Sequence, residues 1–203
     1  MNKQHSFSRR VVALVASHKF FWAVVALLVL QAAWIALSGR YPMAFDEDFH
    51  LGIIKLYAHH LSPIWSGQPP NYDTFGAVTR DPSYLYQYLM SFPYRLISLF
   101  THDQTIQVLS LRAINIGLFA WGLTLYRRLL LKTGASKAIV HVCLLALVLI
   151  PIAPFLAAQI NYDNLFLPMV ALALLLVLRF DRQITHHKPV SYTHLTLPTI
   201  LRV

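Results

Sequence analysis

The chain has 203 residues, of which 57% are apolar and only 12% charged, with a formal charge of +9 and one cysteine. The charged fraction is about half the ~25% of an average soluble domain, which excludes an ordinary soluble composition and matches a membrane one. The basic residues sit at the ends of apolar runs and form no basic face, which argues against a nucleic-acid partner, and Cys143 has no second cysteine to pair with.

Residues 1–19 carry Lys3, Arg9, Arg10 and Lys19 without any acid, and read as a cytoplasmic N-terminus. Residues 20–38 follow as a first transmembrane helix. From Phe20 to Leu37 there is no charge, and these 18 residues at about 1.5 Å each come close to a hydrocarbon core of about 30 Å. A cleaved signal peptide is the competing reading, against which stand the length of the run and an indifferent Ala36-Leu37-Ser38 cleavage site.

Residues 39–107 form a long polar connection on the outer side. Its notable stretch is Phe45-Asp46-Glu47-Asp48-Phe49-His50, which holds three of the eight acids in the chain. A helix from Asp46 to His60 places Asp46 and His50 one turn apart on one face, with Glu47 pointing to a neighbouring direction. Acids at a helix start also serve as plain dipole partners, so capping alone stays open as a reading. Pro63, Gly67, Pro69 and Pro70 mark a turn-rich piece, and the tyrosine-rich segment from Ser83 to Phe100 reads as an interfacial or re-entrant helix.

Three further spans are expected at 108–131, 138–158 and 165–178, with a short outer loop at 159–164. Arg127, Arg128 and Lys132 place the end of the first of these in the cytoplasm, and Pro151 and Pro154 announce a kink in the second. This topology sends Asp46, Glu47, Asp48, Asp73, Asp81, Asp103 and Asp163 to the outer side, together with Arg40, Lys55, Arg80, Arg95 and Arg112. Acids beside cations at a lipid boundary fit a general base and a phosphorylated lipid. Snorkelling to headgroups is the plain reading of Arg95 and Arg112. The fold class expected is an all-α, multi-pass protein of the cell membrane, with a long outer loop that carries juxtamembrane helices.

An apolar span followed by Asp46-Glu47 and His50 resembles the start of the GT-C membrane glycosyltransferases, which include the protein O-mannosyltransferases and the lipid A aminoarabinose transferases. The step from Arg80 to Tyr86, the span opening Leu111-Arg112-Ala113-Ile114-Asn115, and Asn161-Tyr162-Asp163-Asn164-Leu165 are similar to the same family in order and spacing. The resemblance covers most of residues 11–182. It implies an inverting transfer of a sugar from a polyprenyl-phosphate donor to a lipid, glycan or protein acceptor at the outer membrane face. It implies Asp46 as general base with Glu47 as its partner, and substrate contacts from Arg80, Tyr84, Arg112, Asn161 and Asp163. Asp81 stands where some relatives place a proline directly after the basic residue. A divalent metal, bound in some members near the acidic pair, would draw on Asp46, His50, Asp163, His59 or His60.

Two other classes stay open. A transporter or flippase component would use polar residues inside spans, such as Asn115 and His141, and a noncatalytic membrane subunit would use the outer loop to hold a partner. Residues 189–203 are set apart, because VSYTHLTLPT at Val190 to Thr199 resembles a translated sequencing adapter. On that reading the chain is the front of a longer reading frame.

Overall fold

The computed structural model describes residues 2–60, 62–64 and 84–186. Most of the turn-rich piece, Arg80 and the segment 189–203 lie outside the described residues. Among those described, eight helices and no strand occur: α1 (Asn2–Val15), α2 (His18–Ser38), α3 (Phe45–Ala58), α4 (Leu85–Ser98), α5 (Gln104–Lys132), α6 (Lys137–Leu149), α7 (Ile152–Ala157) and α8 (Asp163–His186). The all-helical expectation holds for these residues. Three stretches are long and apolar enough to cross a membrane: His18–Ser38, Gln104–Lys132 and Asp163–Asp181.

Local chemistry sets the helix ends. The Ser17 hydroxyl accepts the Phe20 N–H at 3.1 Å to start α2, and the Asp103 carboxylate accepts the Thr105 N–H at 2.7 Å to start α5. Residues 2–15, expected only as a basic tail, are helical. The 138–158 segment is divided into α6 and α7. Pro151 has no N–H to continue α6, and Ile150 before it takes an extended conformation (φ −73°, ψ 119°).

Side-chain contacts fix the directions of the long helices. Arg112, near the start of α5, bonds to carbonyls at the end of α2, while Arg127 near the other end lies 4.7 Å over the Phe21 ring at the start of α2. These two helices are therefore antiparallel. Asn164 at the start of α8 meets Asn115 in the first half of α5, and a Cβ on Gly122 would fall 2.8 Å from Leu167, so α8 packs closely along α5 in the same direction. One core joins Phe21, Val24, Leu28 and Ala32 of α2 to Phe119 and Leu123 of α5, Val140 and Leu144 of α6, and Ala153 and Ala157 of α7. A second core at the other end joins Leu51 and Ile54 of α3, Tyr86 and Met90 of α4, Val108 and Leu111 of α5, and Ile160.

Charge divides between the same two ends. Asp46, Glu47, Asp48, Asp103 and Asp163 lie by the second core together with Arg40, Lys55, Arg95 and Arg112, while Lys19, Arg127, Arg128, Lys132, Lys137 and Arg179 lie at the opposite end with the single acid Asp181 among the described residues.

Much apolar surface has no protein over it. Leu30, Trp34 and Leu37 of α2 are 69–74% exposed, and Leu176, Val177 and Phe180 of α8 are 56–64% exposed. On α4 the arrangement is inverted relative to a soluble helix. Tyr86, Gln87, Met90 and Ser91 face inward, while Leu85, Leu89, Phe92, Leu96 and Leu99 form an exposed stripe at helical spacing.

Candidate functional site

The acidic motif opens α3, and its three carboxylates have separate fates. Asp48 is exposed and accepts a hydrogen bond from the Tyr41 hydroxyl at 2.5 Å. Burial, followed by this carboxylate, pushes the Tyr41 phenol above its usual range. Glu47, the only glutamate in the chain, is fully buried. Its two oxygens accept from Arg112 Nε at 2.9 Å and Nη2 at 2.8 Å, the fork-to-fork geometry that makes such pairs strong.

Everything around that pair is also satisfied. Arg112 Nη1 donates to the Ala36 carbonyl at 2.9 Å and to the Gly39 carbonyl at 3.0 Å, which are the open carbonyls where α2 ends. Glu47 accepts the Met43 N–H at 2.8 Å and the Ile160 N–H at 3.3 Å. The pair therefore ties together the end of α2, the start of α3, the first turns of α5 and the 158–162 turn. Arg112 is 1% exposed, and four hydrogen bonds occupy four of its five N–H donors. This geometry gives Glu47 and Arg112 the work of positioning their neighbours.

Asp46 differs from Glu47 in every respect. Its side chain is 34% exposed, and its Oδ2 lies 3.9 Å from Nε2 of the buried His50 one turn later. Gln87 of α4 holds the other face of that imidazole, with its Nε2 at 2.9 Å from His50 Nδ1. Tyr162 and Tyr86 pack edge-on against the ring at 5.4 and 6.3 Å. Burial lowers the His50 pKa, with Asp46, Asp163 and Glu47 acting in the opposite direction, so the ring is neutral at neutral pH.

A polar network behind these residues holds α4, α5 and α8 together. The Tyr86 hydroxyl donates to Asn115 Oδ1 at 2.8 Å, and Asn164 Nδ2 donates to the same oxygen at 3.0 Å. Burial raises the Tyr86 phenol above its usual range. Asn164 also donates to the Leu156 carbonyl at 3.0 Å. Asn161 is buried, and its side-chain oxygen accepts the Asp163 N–H at 3.0 Å, an Asx turn that starts α8. Asp163 itself is half-buried and close enough to His50 to act on its charge. Tyr84 is half-buried just before α4.

Of the residues singled out from sequence, Asp46, Glu47, His50, Arg112, Asn161 and Asp163 come together at one end of the bundle; Arg80 lies outside the described residues. His59 and His60 sit at the far end of α3. Among the described residues no three His, Cys, Asp or Glu side chains gather where a metal ion could be held. Arg95 is placed by its bonds to the Tyr57 carbonyl at 2.5 Å and the His60 carbonyl at 2.8 Å, where it closes the C-terminus of α3.

His141 lies at the opposite end, fully buried, between the Val15 carbonyl at 2.7 Å and Arg127 Nε at 2.9 Å. Both its ring nitrogens are occupied. Sequence reading missed Gln87 and the carbonyls at the end of α2, and quoted Tyr86 and Asn164 without giving them a role. Buried Gln87 could have been suspected, because it shares a helical face with Tyr86, Met90 and Ser91. The carbonyls leave no sequence signal.

Beside this corner, between the end of α2 and the start of α5, runs a groove of about 560 Å³. Leu37, Val108 and Leu109 give it apolar walls, and Arg40, Tyr41 and Thr105 a polar rim. Comparisons with family models, curated proteins and solved structures find no match to this chain.

Proposed function

We propose that this chain is a multi-pass membrane protein of the GT-C glycosyltransferase type, which transfers a sugar from a polyprenyl-phosphate carrier to a hydroxyl acceptor at the outer face. The observation that carries this reading is a convergence. The short segments quoted for the resemblance, Asp46 to His50, Arg80 to Tyr86 (described from Tyr84 on), Leu111 to Asn115 and Asn161 to Leu165, lie far apart in sequence. Hydrogen bonds join them at the acid-rich end of the bundle. Uncovered apolar faces on α2, α4 and α8 and basic residues at the opposite end support a membrane setting with the acidic corner outside.

In this reading Asp46 is the base. An alcohol is a poor nucleophile until its proton has somewhere to go, and Asp46 is a partly exposed carboxylate at this corner, 3.9 Å from the fixed His50. The acceptor oxygen bonds to the sugar carbon as the bond from that carbon to the phosphate oxygen breaks. The electron pair leaves on the lipid phosphate, and the hydroxyl proton passes to Asp46. Glu47 and Arg112 hold α3 in place for this step and touch no substrate. Among the described residues Arg40, exposed at the groove rim, is a cation placed to meet the phosphate, while the apolar walls suit its lipid chain.

The test is transfer from labelled polyprenyl-phosphate sugars in proteoliposomes. Asp46→Asn should abolish transfer while membrane insertion and thermal midpoint stay at wild-type values. Equal transfer by wild type and Asp46→Asn, or none from any such donor, would remove the reading.

A further inference from the structure

The His50–Asp46 corner contains an unfilled hydrogen-bond position of defined chemistry. His50 is 4% exposed, and its Nε2 is buried without a hydrogen-bond partner. The ring cannot turn away, since Gln87 holds Nδ1 and two tyrosine rings stand against its faces and edges. A nitrogen 3.9 Å from a carboxylate oxygen is stabilised when it carries a proton and repelled when it presents a lone pair. The proton of the neutral imidazole therefore sits on Nε2. Nδ1 is left as an acceptor, and the Gln87 amide N–H supplies its donor.

A separation of 3.9 Å is too long for a direct hydrogen bond. One oxygen at roughly 2.7–2.9 Å from each could serve both groups, entering on the side of the partly exposed Asp46, because Nε2 itself is covered in this structure. That oxygen must accept from His50 and donate to Asp46 at once. A phosphate or carboxylate oxygen has no proton to give, and an ammonium group has no lone pair to offer. A hydroxyl does both, as does a water that an alcohol would displace.

We propose that Asp46 and His50 form a hydroxyl-binding clamp whose ligand is an alcohol group, with Gln87 as the positioning residue that fixes the imidazole tautomer. This deepens the transferase reading and rests on it for the identity of the alcohol, which is the acceptor. Asp46 takes the hydroxyl proton, and His50 Nε2–H holds the oxygen lone pair that is not attacking. Gln87 touches no substrate and acts only through His50.

The experiment is nitrogen-15 NMR of histidine-labelled protein in bilayers, with the His50 signals assigned by comparison with His50→Gln. Wild type should show a bare Nδ1 and a protonated Nε2. Gln87→Glu, which replaces the donor by an acceptor, should move the proton to Nδ1. Gln87→Leu, which inserts no buried charge, should leave Nδ1 without its hydrogen bond. Glycerol serves as the hydroxyl probe and should shift the Nε2 resonance in wild type but not in Asp46→Ala. A protonated Nδ1 in wild type, a tautomer indifferent to both Gln87 variants, or an Nε2 resonance unmoved by glycerol overturns the clamp.

In the transfer assay Gln87→Glu should lower kcat by about tenfold or more with the donor KM unchanged, and His50→Gln, which keeps an N–H near the Nε2 position, should retain more transfer than His50→Leu. Unchanged kcat in Gln87→Glu overturns the assignment of the acceptor as ligand. A wild-type protein that transfers nothing, yet whose His50 responds to glycerol, removes the transferase reading and leaves the clamp.

Discussion

Asp46 and Glu47 are neighbours in sequence with the same charge and almost the same chemistry, yet the fold uses them in opposite ways. Glu47 turns inward, has no exposed surface, and spends both oxygens on Arg112 and backbone N–H groups. Asp46 is one third exposed and lies 3.9 Å from a buried imidazole nitrogen that has no hydrogen-bond partner. A carboxylate with every lone pair committed holds structure together, and one left partly open beside a fixed ring is available for chemistry. A helix start rotates successive side chains by about 100°, so one turn of α3 accommodates both roles.

The largest effect should come from breaking the closed member of this comparison. Glu47→Ala leaves the Arg112 guanidinium buried without its counter-charge, at an expected cost of about 3–5 kcal/mol, read as a lower thermal midpoint in detergent. Replacing both members, Glu47→Leu with Arg112→Leu, should recover most of that loss, because the lone buried charge is then gone. A double variant as unstable as the single one would mean that the bonds to Ala36, Gly39 and Ile160, and not the ion pair, hold the corner.

Asn164→Ala comes next. It removes a donor to Asn115 Oδ1 and to the Leu156 and Gln159 carbonyls; Tyr86 still serves Asn115 and the Gln159 N–H still serves Leu156, so the Gln159 carbonyl is the buried acceptor that loses its donor. Urea or thermal unfolding should register roughly 1–3 kcal/mol. A change below half a kcal/mol would show that α8 is held by its apolar packing along Gly122 alone.

A smaller effect should follow from pH. Burial keeps the folded His50 pKa below its ordinary 6.5, so the unfolded chain takes up a proton first as pH falls through that value. Stability contributed by neutral His50 is therefore complete above pH 6.5 and declines on the acid side until the folded ring also protonates. Unfolding midpoints measured across this range should fall in wild type and stay flatter in His50→Gln. Identical profiles would place the acid sensitivity elsewhere. Least of all should change on Asp46→Asn, for which the expected stability shift is within about 0.5 kcal/mol, in keeping with a side chain that carries no packing. A loss approaching that of Glu47→Ala would make the two acids equivalent and erase the contrast.

Much of the helical outline was legible in the chain. The apolar runs locate α2, α5 and α8, and the acidic start and basic end of α3 agree with its dipole. Three features were not. Helicity in residues 2–15 was missed because the basic start was read for its charge alone, although its polar and apolar residues segregate at helical period. The division of 138–158 turns on whether Pro151 bends or ends a helix, which depends on what packs beside it. On α4, which the sequence marked as interfacial or re-entrant, it did not show which face turns inward: the polar Gln87 and Ser91 face in and the leucines face out.

The site shows the same division. Sequence placed Asp46 and His50 on one face, marked Asn115 as a polar residue inside a span, and quoted Asn161 to Leu165 in an outer loop for the resemblance. It offered Arg112 as a phosphate contact, whereas the folded chain surrounds that guanidinium with Glu47 and two carbonyls. Arg95, offered as a snorkelling or phosphate-facing cation, is committed to carbonyls at the end of α3.

By itself, then, the sequence determined composition, the apolar runs, the asymmetry of charge along the chain and the one-turn spacing of Asp46 and His50. These depend on neighbours a few residues apart, through helical period and the cost of placing charge in an apolar phase. Only the tertiary structure decided which acid would be closed and which left open. That choice rests on partners 65 and 113 positions away, Arg112 and the Ile160 N–H, and on Gln87 from a separate helix. Desolvation makes a buried charge seek whatever partner the packing brings to it, and no local pattern records which one that will be.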